Sequence, residues 1–97
     1  MSVARHYVMI AKPGESAALE TALSDLADKV RTVPGSEGVD MLRDVADEHR
    51  FVFIEKWESV EAHKNAGQHL PREALAPLGA ALAGPPDGAY LDYLKIV

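Results

Sequence analysis

The sequence predicts an α+β fold: one antiparallel four-stranded sheet with helices on a single face. Three observations predict it. Strand-like and helix-like segments follow the order β, α, β, β, α, β, with the second helical part split. Apolar spacing switches between period two and a three-four stripe as the segments change. Turn residues mark the joins at Pro13-Gly14, Pro34-Gly35 and Gly84-Pro85-Pro86. This is the ferredoxin-like βαββαβ pattern, and 97 residues make one domain spanning 1–97.

Each element has its own signal. Ser2–Ala11 carries Val3, Tyr7, Val8, Met9 and Ile10 and is closed by Pro13-Gly14, so it reads as the first strand. Between Glu15 and Val33, the residues Leu19, Leu23, Leu26, Val30 and Val33 form one helical stripe. Glu15 favours the start of that helix, Lys29 and Arg31 favour its end, and Pro34-Gly35 stops it. Glu37–Val45 and Phe51–Trp57 read as an antiparallel hairpin around the polar Ala46–Arg50. Ser59 is a good N-cap for a short helix over Val60–Ala66, which Gly67 ends. Leu75, Leu78 and Leu82 continue at helical spacing, with a break or kink expected near Ala76 because Pro77 lacks an N–H. Gly88–Val97 reads as the last strand.

Composition narrows the partners. The formal charge is −5 and no basic run occurs, which argues against nucleic acid and anionic membrane. Cysteine is absent, so disulfides and thiolate sites are excluded. The N-terminal stretch lacks the apolar region of a signal peptide, and no apolar run approaches the ~18–20 residues of a membrane span. A cytoplasmic protein is the expectation. The strands are apolar on both sides, with Phe51 and Phe53 opposed to Val52 and Ile54. An open apolar sheet face is rarely left to water, so a homodimer through that face is expected.

Alternation along the third strand places Phe51, Phe53, Glu55 and Trp57 on one face. Arg5, Tyr7 and Met9 share a face of the first strand. Trp57 offers a flat wall and one N–H donor, although an ordinary core tryptophan explains it equally. Tyr7 reads either as a polar handle or as a buried phenol with a mundane partner. Glu55 is either a buried carboxylate or a cross-sheet partner for Arg5. His63 and His69 suit general-base chemistry near neutral pH, or lie on the surface of a short helix. They are six residues apart, not the spacing of a helical zinc pair, and no metal is expected. Asp40, Asp44, Asp47 and Glu48 fit a solvated hairpin tip rather than a calcium loop. Walker, dinucleotide and nucleophile-elbow patterns are missing.

The chain resembles the antibiotic biosynthesis monooxygenase domain family, of the dimeric α+β barrel group. The likeness rests on Lys12-Pro13-Gly14 before a helix, on Val33–Asp44, and above all on Glu55, Trp57 and Ser59 within Phe51–Leu70. It implies a cavity between the Trp57 face and the helices, lined from the sheet by Arg5, Tyr7, Met9, Phe53, Glu55 and Trp57. It also implies a cofactor-independent monooxygenase of electron-rich aromatic or quinol-type molecules, with His63, His69 and Tyr7 as catalytic candidates. The alternatives are a heme-binding or heme-degrading relative, and a non-oxygenase barrel that is isomerase-like, lyase-like or merely ligand-binding. Heme-degrading members carry an asparagine where Tyr7 stands and a histidine where Gly67 stands. His69 replaces that histidine if the loop is shorter here.

Overall fold

A computed structural model describes residues 2–97. Strands β1 (Val3–Ile10), β2 (Ser36–Arg43), β3 (Arg50–Trp57) and β4 (Asp87–Asp92) form one sheet in the order β2-β3-β1-β4. Every neighbouring pair is antiparallel. Helix α1 (Ser16–Val30) joins β1 to β2. Helix α2 (Val60–Asn65), a 3-10 turn (Ala66–His69) and helix α3 (Arg72–Ala81) join β3 to β4. The architecture is the ferredoxin-like α+β fold read from the sequence.

The core follows from two periodicities meeting. Leu19, Ala22, Leu23, Leu26 and Val30 of α1 are buried at helical spacing. They pack on Met9, Phe51, Phe53 and Trp57, which share one face of the two central strands. Burial along β3 alternates strictly, with Phe51, Phe53, Glu55 and Trp57 inside and Arg50, Val52, Ile54 and Lys56 half-buried on the other side. Filling one face this way contributes roughly 1.5–3 kcal/mol per large apolar side chain before conformational entropy is charged against it.

Three boundaries differ from the sequence reading. Helix α1 ends at Val30, and Val33 is buried in the turn that follows rather than on the helix. Helix α3 runs unbroken through Pro77. Pro77 is exposed, so the carbonyl that loses its intrahelical partner can be met by water. Strand β4 stops at Asp92, which pairs with Val3 at the start of β1. Leu94, Ile96 and Val97 are consequently exposed.

Local contacts set the helices over the sheet. The Ser59 hydroxyl accepts from the Ala62 N–H at 3.1 Å and starts α2. Gly35 has φ +88°, and a Cβ added to it would sit 2.7 Å from the Ala62 Cβ. The missing side chain therefore lets α2 settle against the turn that follows α1. The far end of α3 is pinned to β1: Lys12 N–H donates to the Ala81 carbonyl at 2.9 Å, and Ala83 N–H to Ile10 at 2.8 Å. Among the described residues no helix is long and apolar enough to cross a membrane.

Gly35→Ala combines a positive φ with a clash against α2. It is expected to destabilise the fold by more than about 1 kcal/mol. The check is urea unfolding, where an unchanged midpoint would contradict the seating of α2.

Candidate functional site

Between the sheet and the second helical layer lies a cavity of about 360 Å3. The sheet supplies its floor with Tyr7 and Met9 from β1 and Glu55 and Trp57 from β3. Leu26, Leu70, Leu75 and Leu78 make most of its apolar wall, and Pro86 closes the side toward β4. Helix α2 contributes His63 and Lys64, and the 3-10 turn contributes Ala66 and Gly67. An apolar chamber with a few convergent polar groups is the usual form of a small-molecule site.

The polar groups are linked. Trp57 Nε1–H donates to Glu55 Oε1 at 2.9 Å, two residues back on the same strand face. Tyr7 Oη lies 3.0 Å from His63 Nε2, and Tyr90 Oη lies 2.6 Å from His63 Nδ1. Glu55 Oε1 is 3.7 Å from His63 Nε2, an electrostatic neighbour rather than a hydrogen-bond partner. The indole and imidazole rings meet at 69° with centroids 5.7 Å apart.

Burial shifts all three ionisable groups toward their neutral forms. It raises the Glu55 carboxyl above the ordinary carboxylate range, against the pull of the Trp57 N–H and the Arg5 charge. It raises the Tyr7 phenol above its usual value, with Glu55 adding to the effect and Arg5 opposing it. It lowers the His63 imidazole below 6.5, and the Arg5 guanidinium lowers it further. At neutral pH the cavity therefore presents an uncharged imidazole.

The residues singled out from the sequence fall in different places. Tyr7, Met9, Glu55, Trp57 and His63 line the cavity. Phe53 is fully buried in the core below it and does not line it. Arg5 faces Glu55 across the β1–β3 ladder but makes no ion pair with it, stacking instead over the rings of Tyr7 and Tyr90. His69 points to solvent, against the expectation of an inward imidazole. The 3-10 turn ends at His69, and the chain becomes extended at Leu70, so that Ala66 and Leu70 line the cavity while His69 is exposed. Tyr90 was missed. Alternation in Ala89-Tyr90-Leu91 marks two faces, but only the pairing of Tyr90 with Arg5 says which one meets α2. Among the described residues no cluster of three or more His, Cys, Asp or Glu could hold a metal ion.

The antibiotic biosynthesis monooxygenase family model matches residues 2–74, which carry β1 through the start of α3 and most of the cavity floor. The chain belongs to this family. No curated protein sequence matches it. A Caulobacter crescentus protein named for the family has 27% identity and a TM-score of 0.82, covering 97% of this chain and 91% of that one. PA3566 from Pseudomonas aeruginosa has 26% identity and a TM-score of 0.82, with coverages of 97% and 95%. SnoaB, a cofactor-independent oxygenase from Streptomyces nogalater, shares the fold at 17% identity and a TM-score of 0.82, with coverages of 99% and 96%.

Glu55→Gln tests the buried carboxyl. The folded protein binds a proton at Glu55 more readily than the unfolded chain, so this residue's contribution to stability is lost as pH rises from 4.5 through the raised value. The neutral amide can still accept from Trp57. The variant is expected to melt higher than the parent at pH 8, with the gain shrinking toward pH ~4. A gain of equal size at both pH values would contradict the assignment.

Proposed function

We propose that this protein is a cofactor-independent monooxygenase that oxidises an electron-rich aromatic molecule, such as a hydroquinone or an anthrone, with O2. The observation that carries the reading is a neutral imidazole, paired with a phenol, facing an apolar chamber beside an indole. Family membership and the shared fold of SnoaB support the reaction class.

The chemistry asks little of the protein. The ring lies against Trp57 and the leucine wall, which bind it and exclude water. His63, acting through Tyr7, takes the acidic proton of the substrate, and Tyr7 then donates a hydrogen bond to the anion. The carbanion-like anion gives two electrons to O2 and forms a carbon–oxygen bond. In an anthrone the CH2 group becomes C=O, and the second oxygen leaves as water with the two hydrogens that the carbon held. Oxygen is the only oxidant required.

Heme chemistry is less well supported by these residues. Both ring nitrogens of His63 have phenol partners, and His69 lies in solvent, so neither imidazole is placed as an axial ligand.

We also infer a homodimer formed through the sheet face opposite the cavity. Ile10, Leu42 and Leu91 are 41%, 49% and 48% exposed there, beside half-buried Val8, Val52 and Ile54. A contiguous apolar patch of this kind normally marks an interaction surface.

Oxygen-electrode measurements with a panel of hydroquinones and anthrones should show protein-dependent uptake. His63→Ala and Tyr7→Phe are each expected to lower it by about 10²–10⁴-fold and ~10-fold or more respectively. Activity should fall at acid pH with a midpoint below 6.5, where His63 becomes charged. Absence of uptake across the panel, or uptake indifferent to His63→Ala, would sink the assignment. For the dimer, Ile54→Asp is expected to halve the mass measured by light scattering while leaving the circular dichroism spectrum unchanged.

A further inference from the structure

Tyr90 is used by nothing described so far, yet it makes the shorter of the two phenol contacts to His63. It stands on β4, 36% exposed, whereas the His63 side chain is 18% exposed and Tyr7 lies deeper on the cavity floor. The three groups thus descend from water to the chamber in hydrogen-bonding steps of 2.6 and 3.0 Å. One side chain braces both ends. The Arg5 guanidinium lies 4.9 Å over the Tyr7 ring and 4.3 Å over the Tyr90 ring. It fits because residue 88 is glycine: a Cβ there would come within 2.5 Å of the guanidinium.

We propose that Tyr7, His63 and Tyr90 form a proton wire from the cavity to solvent, with Tyr90 as its outlet and Arg5 as the clamp that holds both phenols on the imidazole. This rests on the reading of His63 as the base of the reaction. A neutral imidazole has one N–H and one lone pair, so one phenol must donate to it and the other must accept. Buried Tyr7 donates its O–H to Nε2. Half-exposed Tyr90 accepts from Nδ1–H and turns its own O–H toward water.

In that arrangement a substrate proton moves to Tyr7 Oη as the Tyr7 proton passes to Nε2. The Nδ1 proton then passes to Tyr90 Oη, and the Tyr90 proton leaves to water. One proton enters the wire and one leaves it, with every group neutral at the end. The reverse sequence returns a proton to the chamber when the reduced oxygen departs as water. The advantage is electrostatic. An imidazolium at this position would face the charge of Arg5 from β1 and share the cavity lining with Lys64 of its own helix, while Glu55 from β3, the one carboxylate within ion-pair distance among the described residues, is buried. Passing the charge through Tyr90 moves it to water.

Tyr90→Phe tests the wire, because it keeps the ring on Arg5 and removes only the hydroxyl. Nitrogen-15 NMR of the ligand-free protein should show His63 protonated at Nδ1 in the parent and shifted toward the Nε2–H tautomer in the variant. A parent already protonated at Nε2, or a tautomer unchanged by Tyr90→Phe, overturns the proposal whether or not any substrate is turned over. With an active substrate, the variant is expected to lose about tenfold or more in rate. Small imidazole buffers that reach His63 should restore part of that loss. A variant rate equal to the parent's at low buffer overturns the wire while leaving the oxygenase reading intact, whereas silence in both proteins together with the expected tautomer shift counts against the oxygenase reading alone.

Discussion

A carboxylate on the buried face of a central strand is an expense that must be met, and the Trp57 N–H meets it for Glu55. The pair is possible because residues two apart on a strand project to the same side. Once Trp57 is tied to Glu55, the indole closes the strand end, and the His63 ring packs on it at a steep angle.

The same placement explains why the site holds so little charge. Glu55, Tyr7 and His63 are all driven toward neutrality by burial, and Arg5 acts on each of them in turn. Arg5 itself has no carboxylate within ion-pair distance among the described residues, and its Nε finds no hydrogen-bond partner. Its attraction is spent on two aromatic faces, an arrangement that suits a planar guanidinium better than an ammonium. Its charge also disfavours a second cation beside it, which holds the His63 imidazole toward its neutral form.

The parts of this molecule that follow local rules were readable from the chain alone. The α1 stripe, the alternation of β3, the Ser59 cap and the Pro-Gly stops each depend on residues near one another in sequence. So did the placing of Trp57, Glu55 and Tyr7 on inward faces. What failed to show depends on distant pairing or on where a short turn ends. Tyr90 acquires its meaning only from the β1–β4 register, which sets it opposite Arg5. His69 is exposed at the end of a short 3-10 turn, where the chain becomes extended and Leu70 takes the inward place, an ending that a lone Gly67 does not announce. Pro77 does not break α3, and the carbonyl it leaves without a partner lies on an exposed stretch that water can reach.

The two faces of the sheet divide the work, and β1 and β3 take part in both. Odd-numbered residues of these strands build the chamber, while Val8, Val52 and Ile54 lie on the reverse side. A one-residue slip between β1 and β3 would exchange the two sets, exposing Trp57 and burying Lys56, so register is held by the core itself. The reverse face therefore bears on the site without touching substrate. Covering it would remove water from the backs of the strands that carry Tyr7 and Glu55, and would stiffen the floor on which the Tyr7–His63 distance depends.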